Sequence, residues 1–336
     1  METDPLVSIL IPFKNTERFL SECLDSICDQ TYENLEVLAV DDHSHDFSRK
    51  LVASFAEKDK RIKVFTNEGD GIIEALRMAY SHSKGQLITR MDSDDIMPPN
   101  KLQVMVDALS KNGPGHLAVG QVKYFSDRGI SDGYARYERW LNMLTATGSN
   151  YSEIYKECVI PSPCWMAFRK DFDACGAFEP NRYPEDYDLT FRFYEGGLKC
   201  IPCNEVIHHW RDYDTRTSRT SEHYAQNYFL EIKLHYFLKL DSDPARPLTV
   251  WGAGNKGKEI VKGLQSRNLD FHWLCDNPKK IGKEIYGQKM LHYKHLQKMA
   301  APQSIVTVAN QKAQQMIRDY FSELGQKHMS DYFFFC

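Results

Sequence analysis

The sequence predicts an α/β protein in two parts: a mostly parallel sheet with helices on both faces, then a smaller α/β unit. Three observations carry this. Up to Leu109, short apolar runs alternate with segments of helical apolar spacing, as a chain of β-α-β units requires. Two of the runs end on clustered aspartates, Asp41-Asp42 and Asp92-Ser93-Asp94-Asp95. Behind the breaker Asp241-Ser242-Asp243-Pro244 the alternation starts afresh.

Residues 6–11 are a nearly continuous apolar run ended by Pro12, and 35–40 are another. Between them, 16–28 place Phe19, Leu20, Cys23, Leu24 and Ile27 at helical spacing. A helix over 48–57, a strand over 62–65, a helix over 71–81 and a strand over 86–89 follow. Pro98-Pro99 then punctuates the chain before a helix over 101–109. The alternation is weaker from 115 to 180, with strands over 117–122 and 165–169 and a helix over 134–144. A helix opens after Pro184, and another spans 224–240. The expected division is a first domain over 1–240, a linker over 241–247 and a second domain over 248–336.

At 336 residues, 42% hydrophobic and 26% charged, the chain has the makeup of an ordinary globular protein with room for two cores. Its 42 basic and 46 acidic residues give a net charge of -4, which excludes a global pull towards nucleic acid or anionic lipid but not a local basic patch. There is no apolar run of the roughly 18 residues a membrane span needs, and the N-terminus lacks the basic start of a signal peptide. The expected location is the cytoplasm, with peripheral membrane attachment left open. The nine cysteines are scattered and form no disulfide framework. Cys200-Ile201-Pro202-Cys203 is the only CxxC, and no second ligand pair at structural zinc spacing accompanies it.

In a parallel sheet both aspartate clusters open on the same edge, where such sheets bind ligands. Carboxylates this close repel one another unless a cation or hydrogen-bond donors offset them, and hard cations such as Mg²⁺ or Mn²⁺ take oxygen ligands beside phosphates. The pair therefore suits a nucleoside diphosphate, with Asp42 accepting from base or ribose and a metal near Asp94 offsetting phosphate charge. The competing reading is a solvated acidic turn.

Four segments, in order, resemble the family-2 glycosyltransferases of GT-A fold. They are Val7-Ser8-Ile9-Leu10-Ile11-Pro12 with Asn15; Val40-Asp41-Asp42-His43-Ser44; Gly85 leading to Arg90-Met91-Asp92-Ser93-Asp94-Asp95; and Pro184-Glu185-Asp186-Tyr187-Asp188-Leu189. The resemblance covers about residues 5 to 220. It implies inverting sugar transfer from a UDP- or GDP-type nucleotide sugar, dependent on Mg²⁺ or Mn²⁺. By resemblance, Pro12, Asn15, Asp41, Asp42, Arg90 and Asp92 bind the donor, Asp92, Asp94 and Asp95 hold the metal, and Asp186 is the base, with Glu185 as fallback. Where many members carry an aromatic residue just before Asn15, this chain has Lys14, which leaves the donor base open.

By the same resemblance, the acceptor side of the cleft falls in 115–180, which makes Trp140 and Trp165 acceptor-platform candidates, with core packing the competing role. The segment from His208 to Arg219 resembles the family's closing segment, with Tyr213 where a histidine is expected. Arg211, Arg216 and Arg219 are candidates for the leaving diphosphate, and His209 is a candidate metal ligand.

In the tail, a strand over 248–251 leads into Gly252-Ala253-Gly254-Asn255-Lys256-Gly257 and a helix over 258–265; a strand over 271–275 ends on Asp276. Gly252, Gly254, Gly257 and Asp276 match a dinucleotide fingerprint in its proper context, so the tail reads as Rossmann-like. A further strand over 305–308, a helix over 311–324 and an apolar end over 331–336 complete it. It is too short for a dinucleotide domain with its own substrate site, and NAD is not expected. The tail resembles those of some bacterial family-2 transferases and of the animal queuosine-tRNA galactosyltransferases. The acceptor is accordingly an envelope glycan or lipid-linked sugar, or the queuosine nucleoside of tRNA, with Lys279, Lys280 and Lys283 as phosphate contacts in the latter case. The alternatives are a non-catalytic nucleotide-binding regulatory module and an NAD-dependent oxidoreductase. The oligomeric state is not readable.

Overall fold

β1 (Val7–Phe13) and β2 (Leu35–Asp41) are buried along their whole length, as strands covered on both faces must be. β1 pairs in parallel with β2 on one side and with β4 (Leu87–Arg90) on the other, while β3 (Ile62–Thr66) extends the sheet beyond β2. With β5 (His116–Phe125), β6 (Trp165–Phe168) and β7 (Lys199–Arg211), the order is β3-β2-β1-β4-β6-β5-β7. Only β6 runs antiparallel to its neighbours. The helices are α1 (Glu17–Cys28), α2 (Ser48–Lys58), α3 (Ile72–His82), α4 (Lys101–Asn112), α5 (Asp132–Thr147), α6 (Arg169–Ala174) and α7 (Glu185–Glu195). α1 buries Phe19, Leu20, Cys23, Leu24 and Ile27, the face its spacing predicts. This is a computed structural model, and it describes residues 4–216 and 229–336.

Two strands depart from the sequence reading. Pro12 does not end β1. The Leu10 carbonyl accepts from Met91 on the β4 side and the Phe13 carbonyl from Asp42 on the β2 side, so position 12 faces β4. That ladder has already stopped at Leu10–Arg90, so the missing proline amide forfeits no bond. β7 went unread because Pro202 and Asn204-Glu205 break its alternation. Its register against β5 shifts on both sides of Gln121. Cys200 and Cys203 lie three apart on this strand and so point to opposite faces, which removes the CxxC as a ligand pair.

The chain divides by contacts into one unit of residues 1–151 and 159–223 and a second of 152–158 and 224–336. The boundary therefore falls ahead of the expected 241–247 linker, for two reasons of packing. α8 (Leu230–Tyr236), continued by a π turn over Phe237–Asp241, sets Leu234 against Gly263. Tyr155 stacks on Phe335 at 5.2 Å and meets Phe237 and Phe333 edge-on. Arg219 and residues 224–228 of the expected 224–240 helix lie outside the described residues.

The second unit has the strand order β10-β11-β9-β8-β12-β13. Its strands are β8 (Leu248–Trp251), β9 (His272–Cys275), β10 (Glu284–Ile285), β11 (Gln288–His292), β12 (Gln303–Val306) and β13 (Tyr332–Phe334). All pairings but β10–β11 are parallel. α9 (Asn255–Gln265) and α10 (Gln311–Glu323) pack against it. The β10–β11 hairpin is an addition to the sequence reading.

Candidate active site

In the first unit, the chain leaves β1 towards β2 and later returns to the other side of β1 as β4, so the order reverses between β1 and β4. The carboxyl ends there flank a crevice. β1 runs through Pro12 to Phe13, and Asn15 follows in the left-handed region, its side-chain oxygen accepting from the His45 amide at 2.8 Å. From the end of β2, Asp41 accepts from the Ser44 amide at 3.0 Å. Asp42 accepts from Asn67 Nδ2 at 2.8 Å, the Gly71 amide at 2.9 Å and Lys14 Nζ at 3.1 Å. Burial alone would raise its pKa, but these donors hold the carboxyl below its usual range. Lys14 thus occupies a lone pair of the very carboxylate assigned to the donor.

The acidic turn follows β4. Arg90 is buried and donates to Asp92 Oδ1 at 2.8 Å and to Glu185 Oε1 at 3.2 Å. It thereby ties the turn to the first residue of α7. Burial works against ionisation of Asp92, and the Arg90 guanidinium holds its pKa down; Ser162 Oγ also donates to it, at 3.2 Å. Burial and then the neighbouring Asp95 push Asp94 up to about 7. Tyr213 donates to Asp94 Oδ2 at 2.8 Å, so the tyrosine at the expected histidine position still reaches the turn. Asp95 is fully buried and accepts from the Arg211 amide and from His208 Nε2, both at 2.8 Å.

On α7, Glu185 and Asp186 take different roles. Glu185 is buried against Arg90. Asp186 is partly exposed, and among the described residues no cation forms an ion pair with it. Burial and then Glu185 push its carboxyl up to about 7. A carboxyl poised there can accept a proton at neutral pH.

Several candidates land elsewhere. His209 and His208 are successive on β7 and face opposite ways; His208 takes the carboxylate side, while the His209 ring lies edge-on to Phe125 at 6.3 Å. Arg211 is engaged in structure, its Nε on the Asp94 carbonyl at 2.7 Å, Nη2 on Glu22, and its plane over Phe19 and Phe125. Arg216 stays beside the turn, buried, with its guanidinium over Trp210 at 5.0 Å and its charge acting on Asp94 and Asp95. Trp165 is core, stacked on Phe172, and Trp140 is partly buried against the main cluster. Sequence reading missed Lys101 and His208 as site residues, two polar side chains that the fold buries fully and that no local pattern marks.

Among the described residues, no group of three or more His, Cys, Asp or Glu converges tightly enough to hold an ion unaided. Asp92 and Asp94 still fit a divalent cation. Both are partly exposed, and Asp94 Oδ1 accepts from no described residue. Mg²⁺ commonly takes one or two carboxylates and completes its shell with phosphate oxygens and water.

In the tail, packing accounts for two of the three glycines. A Cβ on Gly252 would lie 2.2 Å from Thr307 Oγ1, and one on Gly257 would lie 2.2 Å from the Gly252 carbonyl oxygen, whereas one on Gly254 meets nothing within 4 Å. Trp273 Nε1 donates to the Gly252 carbonyl at 2.8 Å and Lys280 Nζ to that of Ala253 at 2.6 Å. Asp276 is exposed beyond β9.

A model of "Glycosyl transferase family 2" matches residues 8–176, half of the chain. An uncharacterized glycosyltransferase of Haemophilus influenzae is 37% identical over 113 residues, which is 33% of this chain and 35% of that protein. The Escherichia coli UDP-Glc:alpha-D-GlcNAc-diphosphoundecaprenol beta-1,3-glucosyltransferase WfgD is 41% identical over 110 residues, 32% of this chain and 43% of its own. The aligned stretch spans about a third of the Haemophilus relative and of Streptococcus pneumoniae GlyG. Among solved structures, S. aureus TarS 1-349 in complex with UDP-GlcNAc is similar over 71% of this chain and 68% of its own, with a TM-score of 0.54 and 17% identity. The mannosyltransferase PcManGT from Pyrobaculum calidifontis, in complex with GDP-Man and Mn2+, is similar over 78% and 69%, with a TM-score of 0.51 and 20% identity. The switch-point crevice, its ordered acidic segments and the family model converge on one assignment: the chain belongs to glycosyl transferase family 2.

Proposed function

We propose that the first unit transfers a sugar from a nucleoside-diphosphate donor to an acceptor hydroxyl with inversion. The observation that carries this is the connection of two carboxylate groups through one buried arginine. Arg90 joins the acidic turn at Asp92 to α7 at Glu185, which sets the adjacent Asp186 beside the crevice. Asp186 takes the proton of the acceptor hydroxyl, because a neutral hydroxyl is a poor nucleophile and single displacement needs a base within hydrogen-bond reach. Asp42 receives the base or ribose. Asp92 and Asp94 hold Mg²⁺ or Mn²⁺, which when bound offsets the charge of the diphosphate. Asp95 holds the turn, and Arg216 adds positive charge beside it. One relative is named for UDP-Glc and one structural neighbour holds GDP-Man with Mn2+, so both donor bases stand.

That relative's named acceptor is a diphosphoundecaprenol-linked sugar, which supports a lipid-linked glycan here. No described helix is long and apolar enough to cross a membrane. The queuosine nucleoside of tRNA is the second reading, supported by exposed Arg136 and Arg139 on α5 and exposed Lys279 and Lys283 in the tail. Binding of tRNA would weaken steeply with salt, and a flat salt response would leave the glycan.

The test is a thermal-shift panel of UDP- and GDP-sugars with and without Mn²⁺. The expected outcome is stabilisation only with donor and metal together, since neither completes the site alone. Stabilisation by a donor without metal would remove the metal assignment.

A further inference from the structure

We infer that His208 and Lys101 are positioning residues that lock Asp95 as the anchor of the acidic turn, leaving Asp92 and Asp94 to face the metal and diphosphate. The inference rests on the proposed role of that turn.

Lys101 opens α4, is fully buried, and donates through Nζ to the Pro163 carbonyl at 2.6 Å. The same Nζ lies 3.5 Å from His208 Nδ1. An ammonium has donors only, so Nδ1 must be the accepting nitrogen of that ring and Nε2 must carry the proton. Nε2 then donates to Asp95 Oδ2 at 2.8 Å, while the Arg211 amide takes Oδ1 at 2.8 Å. With Lys101 charged and Asp95 ionised, these contacts set the histidine tautomer and the direction of the bond from β7 to the turn.

Asp95 is the member of the turn with no exposed surface, and both its oxygens are engaged by the protein. With no exposed surface it offers no oxygen to an ion in the crevice, whereas Asp92 and Asp94 are partly exposed. The main chain strengthens the anchor, with the Ile96 and His209 amides each donating to the other's carbonyl at 3.1 and 2.9 Å. Burying an ammonium is costly unless its charge is used. Burial pushes the Lys101 pKa down, and Asp95 and Asp92 act against that fall. The same logic separates the two histidines: β7 points His208 into this network and His209 away from it.

Three variants test this: His208→Leu, which removes the donor; His208→Gln, which restores an amide donor; and Lys101→Met, which removes the ammonium at similar length. Mn²⁺ binding is followed by the loss of its free-ion electron paramagnetic resonance signal, with the protein saturated by UDP and, in a parallel series, by GDP. Outer partners of metal sites typically contribute 10- to 100-fold in affinity, so His208→Leu and Lys101→Met should weaken Mn²⁺ about tenfold or more with an unchanged circular dichroism spectrum. His208→Gln should recover most of the loss. Wild-type Mn²⁺ affinity in either folded variant would overturn the inference and reduce the network to packing. If His208→Leu does not fold, Lys101→Met decides by the same criterion. A wild type that binds UDP or GDP but no Mn²⁺ overturns the metal assignment and this inference together; normal wild-type binding with unaffected variants overturns only this inference.

Discussion

The two units of the chain each end a set of parallel strands on a β-α turn at a point where strand order reverses, yet the two edges are built differently. In the first, the reversal lies between β1 and β4, and the edge carries Asp94, whose Oδ1 accepts from no described residue, and Asp186, which forms no ion pair among the described residues. In the second, it lies between β8 and β12, and the turn is filled by its own structure: Gly257 against Gly252, Gly252 against Thr307, Trp273 and Lys280 on its carbonyls. A switch point supplies a place for a ligand. Chemistry depends on whether the groups there still have something to bind.

The sharpest way to break this comparison is to remove the proton acceptor from the first edge. Asp186→Asn keeps the size of the side chain and the Tyr187 amide contact at 2.8 Å but cannot take a proton. General-base catalysis contributes roughly 10²- to 10⁴-fold, so kcat should fall by that factor while affinity for UDP or GDP with Mn²⁺ stays near wild type. Preserved turnover would pass the role to another group, with Glu185 next in line.

The second edge should respond in stability. Gly257→Ala places a methyl 2.2 Å from a backbone oxygen, and overpacking of this kind costs about 1–3 kcal/mol. Gly254→Ala meets nothing and should stay within roughly 0.5 kcal/mol of wild type, the range of ordinary surface changes. Denaturant unfolding checks both. A neutral Gly257→Ala would show that the turn is looser than its packing implies. NAD affinity lost specifically in Gly254→Ala would make the second edge a ligand site after all.

These contrasts also show what the residues disclosed before the fold was known. Periodicity located the first four strands and four helices because both faces of β1, β2 and β4 are buried, and the apolar set of α1 is the one in its core. It failed on β7, where a proline, two polar residues and shifted register hide the alternation. Motif order located Asp42, the acidic turn and Asp186, since each sits beside a strand or helix end that local sequence marks. It chose His209 over His208, because facing depends on strand parity and the strand itself went unread. Arg211 looked like a diphosphate ligand for a related reason: a lone arginine in sequence does not reveal Glu22, Phe19 and Phe125, which are brought to it only by the fold. The glycine fingerprint was legible as a turn but ambiguous in purpose, since close packing and close approach to a phosphate ask for the same residue.

The smallest effect concerns pH, and it isolates Asp186 from its acidic neighbours. In the folded chain, burial and then Glu185 push this carboxyl up to about 7 from its ordinary value of 3.8. Between those values the folded state holds a proton that the unfolded state has released, so folding stability contributed by this group falls as pH rises and levels off above 7. The asparagine of the Asp186→Asn variant does not titrate. Asp94 and Asp95 titrate in both proteins, so their contributions largely cancel in the difference. In the absence of metal and nucleotide, Asp186→Asn should therefore match wild type near about pH 4 and become progressively more stable relative to it up to about pH 8. The partial exposure of Asp186 screens the charge and limits the gain to about 1 kcal/mol. Paired thermal denaturation across that range measures it. A gap that does not change with pH would mean that Asp186 is already ionised in the folded chain at the acidic end of the range, and the argument for its poise as a base would fail with it.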